Sequence, residues 1–137
     1  RIGFAVGSPR LIRYLNDVKY SFNSYTMNQA ALELGAAALS DEAYFRAVTG
    51  KIAVTRDAAV KRLTEQGFYC LDSAANFIFA KHPKYEGEKL FTYLRQHGIY
   101  VRHFNGSRIS QYLRITVGLD EEMERLYETL ERAYGSL

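Results

Sequence analysis

The chain has 137 residues, 47% of them hydrophobic and 24% charged, with a formal net charge of +3. These values are ordinary for a soluble globular protein and suit one compact domain or a piece of a larger one. No apolar run reaches membrane-spanning length, no signal peptide opens the chain, and the scattered basic residues fall short of the dense cluster that marks a nucleic-acid footprint.

Residues 2–6 are a short apolar run bracketed by Gly3 and Gly7 and read as a buried strand. The run from Arg1 to Gly7 has no initiator methionine and reads as a strand already under way, as expected of a fragment of a longer protein. Ser8 then stands as an N-cap with Pro9 at the first helical position, and the helix is expected to run to about Lys19 with Leu11, Ile12 and Leu15 on one face. Tyr20 to Met27 is aperiodic and reads as a loop. Asn28 to Leu39 is alanine-rich, so that helix is expected to be buried against a close neighbour. Ser40 or Asp41 caps a long helix over about 42–66, with Phe45, Val48, Ile52, Ala59 and Leu63 near helical spacing. Gly50 marks a candidate bend within it, and Gly67 is its C′ residue.

Beyond Gly67 the texture changes. Phe68–Leu71 and Asn76–Lys81 are strand-like, and a helix from about Glu88 to Gln96 ends at Gly98. In the stretch GIYVRHFNGSRISQYLRITVG (98–118), two alternating runs flank an Asn105-Gly106 turn signal. The first sets Tyr100, Arg102 and Phe104 on one face, and the second sets Tyr112, Arg114 and Thr116 on one face. Arg102 and Arg114 on the same side of a shared sheet would grip an anion through charge-assisted hydrogen bonds. The competing reading is two ordinary solvated strand arginines. Asp120 opens a last amphipathic helix whose acidic first turn (Asp120, Glu121, Glu122) suits the positive helix end. The expected class is α+β: a helical front half after one strand, then a small sheet with helices on one face.

Other chemistry is weakly supported. His82, His97 and His103 have no mutual ligand spacing and read as surface or loop residues, so no metal site is expected. No Gly-rich phosphate loop is present. Cys70, the single cysteine, rules out an internal disulfide, fits a reducing cytosol and reads as a core residue, although a Cys-His nucleophile pair stays open. The carboxylate pairs, such as Asp41-Glu42 and Glu121-Glu122, read as helix-surface charges.

Arg1–Gly7 (RIGFAVG), Ser73–Phe79 (SAANFIF), Gly98–Arg102 (GIYVR) and Tyr112–Gly118 (YLRITVG) together resemble the histidinol-phosphate aminotransferases, pyridoxal-phosphate enzymes of the aspartate-aminotransferase fold. The match runs in order through the whole chain, and YLRITVG after a GI-x-VR strand is its most specific part. The resemblance implies that residues 1–40 are a remnant of a large cofactor-binding domain, 41–66 a connecting helix and 67–137 the C-terminal small domain. It implies that Arg1 binds the phosphate of pyridoxal 5'-phosphate, that Arg114 grips the substrate carboxylate, and that Arg102 helps hold the phosphate of histidinol phosphate. The cofactor-bearing lysine is expected just upstream of Arg1, so this chain carries no catalytic residue and is expected to be inactive alone. A cytoplasmic homodimer acting on phosphate-bearing and amino-acid substrates is implied for the full-length parent, with no nucleic-acid or membrane partner. Ser21 departs from the family, which often has proline there, and Arg108 has no family counterpart. Related pyridoxal-phosphate enzymes, namely threonine-phosphate decarboxylases and aromatic aminotransferases, share much of this frame. From another class, a free-standing α+β module binding anions or RNA would use strand aromatics such as Phe77, Phe79 and Tyr100, but the sequence pattern of such sheets is absent.

Overall fold

The computed structural model describes residues 2–135. The chain divides into two compact units, one up to Arg46 and one from Ala47 onward.

In the first unit, residues 2–8 form no strand. A strand exists only through its hydrogen-bonded neighbour, and none of the described residues pairs with this run. The expectation of an opening strand is therefore corrected for this chain. Helix α1 spans Pro9–Phe22, with the Ser8 hydroxyl accepting from the Leu11 N–H at 3.4 Å and Pro9 in the first turn. It runs past the expected end at Lys19 into the segment read as loop. There the Asn23 N–H donates to the Lys19 carbonyl at 2.8 Å, and the Ser21 hydroxyl donates to the Asp17 carbonyl at 2.7 Å. Helix α2 spans Gln29–Ser40, capped by the Asn28 side chain, which accepts from the Ala31 N–H at 2.8 Å. The alanine-rich helix was expected to be buried, yet neither α1 nor α2 has a buried residue. Ile2 lies against Gly35, but Leu34, Leu39 and Phe22 stay exposed. Small residues permit close approach; they do not supply the partner.

Helix α3 spans Glu42–Glu65, with the Asp41 carboxylate accepting from the Tyr44 N–H at 3.0 Å; it stays helical through Gly50, so the candidate bend is not needed to describe it. Its end is set by backbone geometry. Gly67 adopts φ +92, the Gly67 N–H donates to the Thr64 carbonyl and the Phe68 N–H to the Leu63 carbonyl, both at 2.9 Å. This paired closure leaves Phe68 and Leu63 in the same core, the usual accompaniment of such a helix end.

The second unit holds the sheet. Strands β1 (Tyr69–Cys70), β2 (Phe77–Lys81), β3 (Arg102–His103) and β4 (Leu113–Thr116) lie in the order β1-β2-β4-β3, every pair antiparallel. Helices α4 (Gly87–Gln96) and α5 (Asp120–Ala133) join the C-terminal part of α3 on one side of it. That side is dry: Ile78, Ala80, Leu113 and Ile115 pack with Ala59, Leu63, Leu90, Leu94, Leu126 and Leu130. Each fully buried leucine or isoleucine contributes about 1.5–3 kcal/mol of transfer free energy. The expected α+β arrangement with helices on one sheet face is found. The predicted strand over 98–104 is shorter than its alternation, because only Arg102 and His103 pair with β4.

Helix α4 seats through Gly87, whose N–H donates to the Gln111 side-chain oxygen at 3.3 Å. A Cβ there would stand 2.8 Å from the Ser110 carbonyl oxygen, so only glycine lets the 110–111 backbone come this close. At the start of α5 the Glu122 carboxylate accepts from the Leu119 N–H at 2.8 Å.

The histidines are not surface residues as a group. His82 is 8% exposed, edge-on to Phe68 and flanked by the rings of Tyr85 and Tyr134. Its Nδ1 accepts from the Lys84 N–H at 3.1 Å. Burial lowers its pKa, an effect only partly opposed by a hydrogen bond to the Gln66 backbone and reinforced by Lys84. The neutral ring is the form this pocket holds. Burial first, then the neighbouring Tyr85 and Glu131, push the Tyr134 hydroxyl up to about 12, so it stays a donor and reaches the Gln66 carbonyl at 3.3 Å.

Candidate anion-binding face of the sheet

The side of the sheet away from the helices carries the opposite residues of the same strands. Register decides which they are. Phe79 pairs with Arg114, and Arg114 pairs with Arg102, so all three stand in one row across β2, β4 and β3 on one face. Phe77 and Thr116 form the next row, and Tyr69 sits opposite Lys81. The two arginines that alternation set on one face of each strand are thus directly opposite one another.

Their surroundings are aromatic. The Arg102 guanidinium lies 5.3 Å from the centroid of Phe104, and that of Arg114 lies 6.0 Å from the same ring and 5.4 Å from Phe77. Phe79 meets Phe104 edge-on at 6.1 Å and stacks on Tyr112 at 4.7 Å. Lys81 lies over Tyr112 and Tyr69 at 5.2 and 5.6 Å. Arg114 is half-buried and Arg102 exposed.

Like charges directly opposite in an antiparallel pair are unfavourable. Among the described residues no carboxylate forms an ion pair with Arg102 or Arg114. By contrast Arg46, Arg56 and Arg62 each have one. Two adjacent cations held by ring faces, with no hydrogen bond from either guanidinium among the described residues, make a site complementary to a carboxylate or phosphate. The face is open rather than enclosed. A cleft of about 340 Å³, lined by Ile99, Thr116, Glu122, Met123 and Arg125, includes neither arginine.

Of the other sequence candidates, Arg1 lies outside the described residues. Cys70 pairs with Ala80 and so belongs to the helix-covered side of the sheet. Burial raises its thiol pKa, only partly offset by a hydrogen bond with Thr64, which disfavours the thiolate a nucleophile needs. Among the described residues no group of histidines, cysteines and carboxylates could hold a metal ion. Arg108 is exposed, in agreement with a solvated loop residue. Tyr100 is 82% exposed and lies outside β3, whereas Phe77 and Phe79 do belong to the open face. Lys81 was not singled out by the sequence, since its place on this face depends on the β1–β2 and β2–β4 registers. Among the described residues no helix is long and apolar enough to cross a membrane.

Comparison with known proteins gives this face its setting. A "Histidinol-phosphate aminotransferase" from Pseudomonas putida (strain W619) is 48% identical over 130 residues, covering 95% of this chain and 37% of the relative. One of the same name from Chromohalobacter salexigens is 44% identical over 131 residues, 96% of this chain and 37% of the relative. The crystal structure of histidinol-phosphate aminotransferase from Sinorhizobium meliloti in complex with pyridoxal-5'-phosphate superposes with a TM-score of 0.82 at 25% identity, over 96% of this chain and 36% of that one. The chain therefore spans a little over a third of the length of these relatives. Residues 1–130 match the family described as aminotransferase class I and II, and the chain belongs to that family.

Proposed function

We propose that the chain forms the substrate-anion-binding part of a histidinol-phosphate aminotransferase. In that reaction an amino group passes from histidinol phosphate to 2-oxoglutarate, giving imidazole acetol phosphate and glutamate. The observation that carries this reading is the Arg102–Arg114 pairing: two facing guanidiniums, without ion-pair partners among the described residues, in a chain 44–48% identical to relatives of that name. Arg114 holds the carboxylate of the amino-acid substrate, and Arg102 holds the phosphate of histidinol phosphate. One site must take these two anions in turn, and planar forks with several donors accommodate both shapes.

The reaction uses pyridoxal 5'-phosphate, which withdraws electrons from the carbon bearing the amino group. Arg1, assigned to its phosphate by the family resemblance, is outside the described residues, and none of Lys19, Lys51, Lys61, Lys81, Lys84 and Lys89 stands in the sequence context of the cofactor lysine. The described residues thus bind and orient substrate, and the chain alone is proposed to be inactive. The same reading makes residues 1–40 part of a large domain, 41–66 the connecting helix and 67–137 the small domain of a cytoplasmic homodimer. A related decarboxylase or aromatic aminotransferase shares this fold, and the 44–48% identity to relatives named for histidinol phosphate favours the first reading. The aromatic and basic open face is also what an RNA-binding sheet displays, so salt-sensitive RNA binding by this chain would count against the aminotransferase assignment.

The test uses the full-length protein. Arg114→Ala is expected to raise KM for glutamate and 2-oxoglutarate, and Arg102→Ala to raise KM for histidinol phosphate. Each loss is roughly 10- to 100-fold, the value of a hydrogen bond to a charged group. Unchanged KM values in both variants would reject the proposal.

A further inference from the structure

Two like charges directly opposite in a sheet are unfavourable unless something nearby offsets them. A carboxylate would hold them best, but it would also compete with the substrate anion. The structure gives them a shared phenyl ring instead: Phe104 has Arg102 at 5.3 Å and Arg114 at 6.0 Å from its centroid, and among the described residues it is the ring within cation–π reach of both. Phe104 is half-buried and is itself braced edge-on by Phe79 at 6.1 Å, which stacks on Tyr112. A ring face carries partial negative charge without a net charge, so it attracts both cations and neutralises neither.

We infer that Phe104 is a positioning residue, whose ring face holds Arg102 and Arg114 together, ready for an anion, on the open face of the sheet. This deepens the proposed function and rests on it. Phe104 touches no reacting atom in this role; it acts through the two arginines. Because it serves both of them, it affects the phosphate-bearing and the dicarboxylic substrate alike, whereas each arginine is assigned chiefly to one.

The ring's electrostatics can be varied at nearly constant shape. In the full-length protein, phenylalanine at position 104 is replaced by its mono-, di- and trifluorinated analogues, which progressively empty the ring face. The expected result is a stepwise rise in KM for both histidinol phosphate and glutamate, reaching on the order of tenfold, with kcat nearly unchanged and the thermal midpoint constant. Phe104→Tyr, which keeps the ring face, is expected to stay near the parent value, and Phe104→Leu to match the most fluorinated form. A role in packing alone would leave the fluorinated series flat, and a flat series overturns the inference. If Phe104→Leu does not fold, the fluorinated series decides by itself. Flat fluorination with impaired Arg102→Ala and Arg114→Ala sinks the role of Phe104 only; unimpaired arginine variants sink the proposed function with it.

Discussion

Ile78 and Phe79 are consecutive residues of β2 that meet opposite environments. Ile78 is 0% exposed, paired with Ile115 and covered by helices. Phe79 is half-buried, paired with Arg114, on the side no helix of this unit's core covers. The pleat alone produces this division. One side of the sheet gains its energy by excluding water; the other keeps two like charges side by side, an arrangement unfavourable for folding. The helix-covered side is what stability selects; the charged side is where the proposed function places the substrate anions.

That contrast predicts which substitutions disturb which property. The largest effect on folding is expected on the covered side. Leu130→Ala removes a fully buried side chain and should cost about 2–5 kcal/mol in denaturant unfolding. A loss below 1 kcal/mol would mean that α5 is not seated on this core.

Gly87→Ala comes next. Its added methyl would press on backbone atoms of Ser110 and Gln111, and rigid backbone gives way less easily than a side chain. Overpacking of this kind costs about 1–3 kcal/mol, and urea midpoints of the two proteins measure it. The same substitution shifts the 110–111 segment that leads into β4, so it links the covered side to the arginine row.

A smaller, pH-dependent effect is expected from His82. Its pKa in the folded protein lies below the ordinary value of 6.5, so the unfolded chain binds its proton more readily. The stability this neutral ring supplies is complete above about pH 6.5 and is lost as pH falls through the lowered folded value. Unfolding midpoints measured between pH 8 and pH 5 should drop less in His82→Gln than in the parent. Equal drops would show that other groups carry the acid sensitivity.

The smallest effect has the opposite sign. Arg102→Ala relieves the repulsion of facing guanidiniums but also loses a contact with Phe104, so it should leave folding stability unchanged or raise it by roughly 0.2–1 kcal/mol. The same variant is the one expected to weaken phosphate-bearing substrate. Clear destabilisation would make Arg102 a structural residue and blunt the contrast between the two sides.

Much of this was readable along the chain. Ser8-Pro9 marks a helix start through a short-range hydrogen bond, and Gly67 marks an end because φ +92 is open to glycine. Alternation placed Arg102 with Phe104 and Arg114 with Tyr112, since that pattern is a property of each strand alone. The failures lie where a partner decides the outcome. Residues 2–6 have strand composition and no strand neighbour, and the alanine-rich face of α2 has no buried residue. His82 does lie in a loop just past β2, but its burial was not readable, because the rings that bury it come from Phe68, Tyr85 and Tyr134, up to 52 positions away along the chain.

The sequence by itself determined which residues share a strand face, where α4 begins and ends, where α5 begins, and which side of the second unit's elements is apolar. All of these follow from the fixed periods of the backbone and from bonds a few residues long. Only the tertiary structure decided that Arg102 faces Arg114 and that both lean on Phe104. Register between strands is set by how the covered side packs, and a slip of one residue would have sent one arginine into the core.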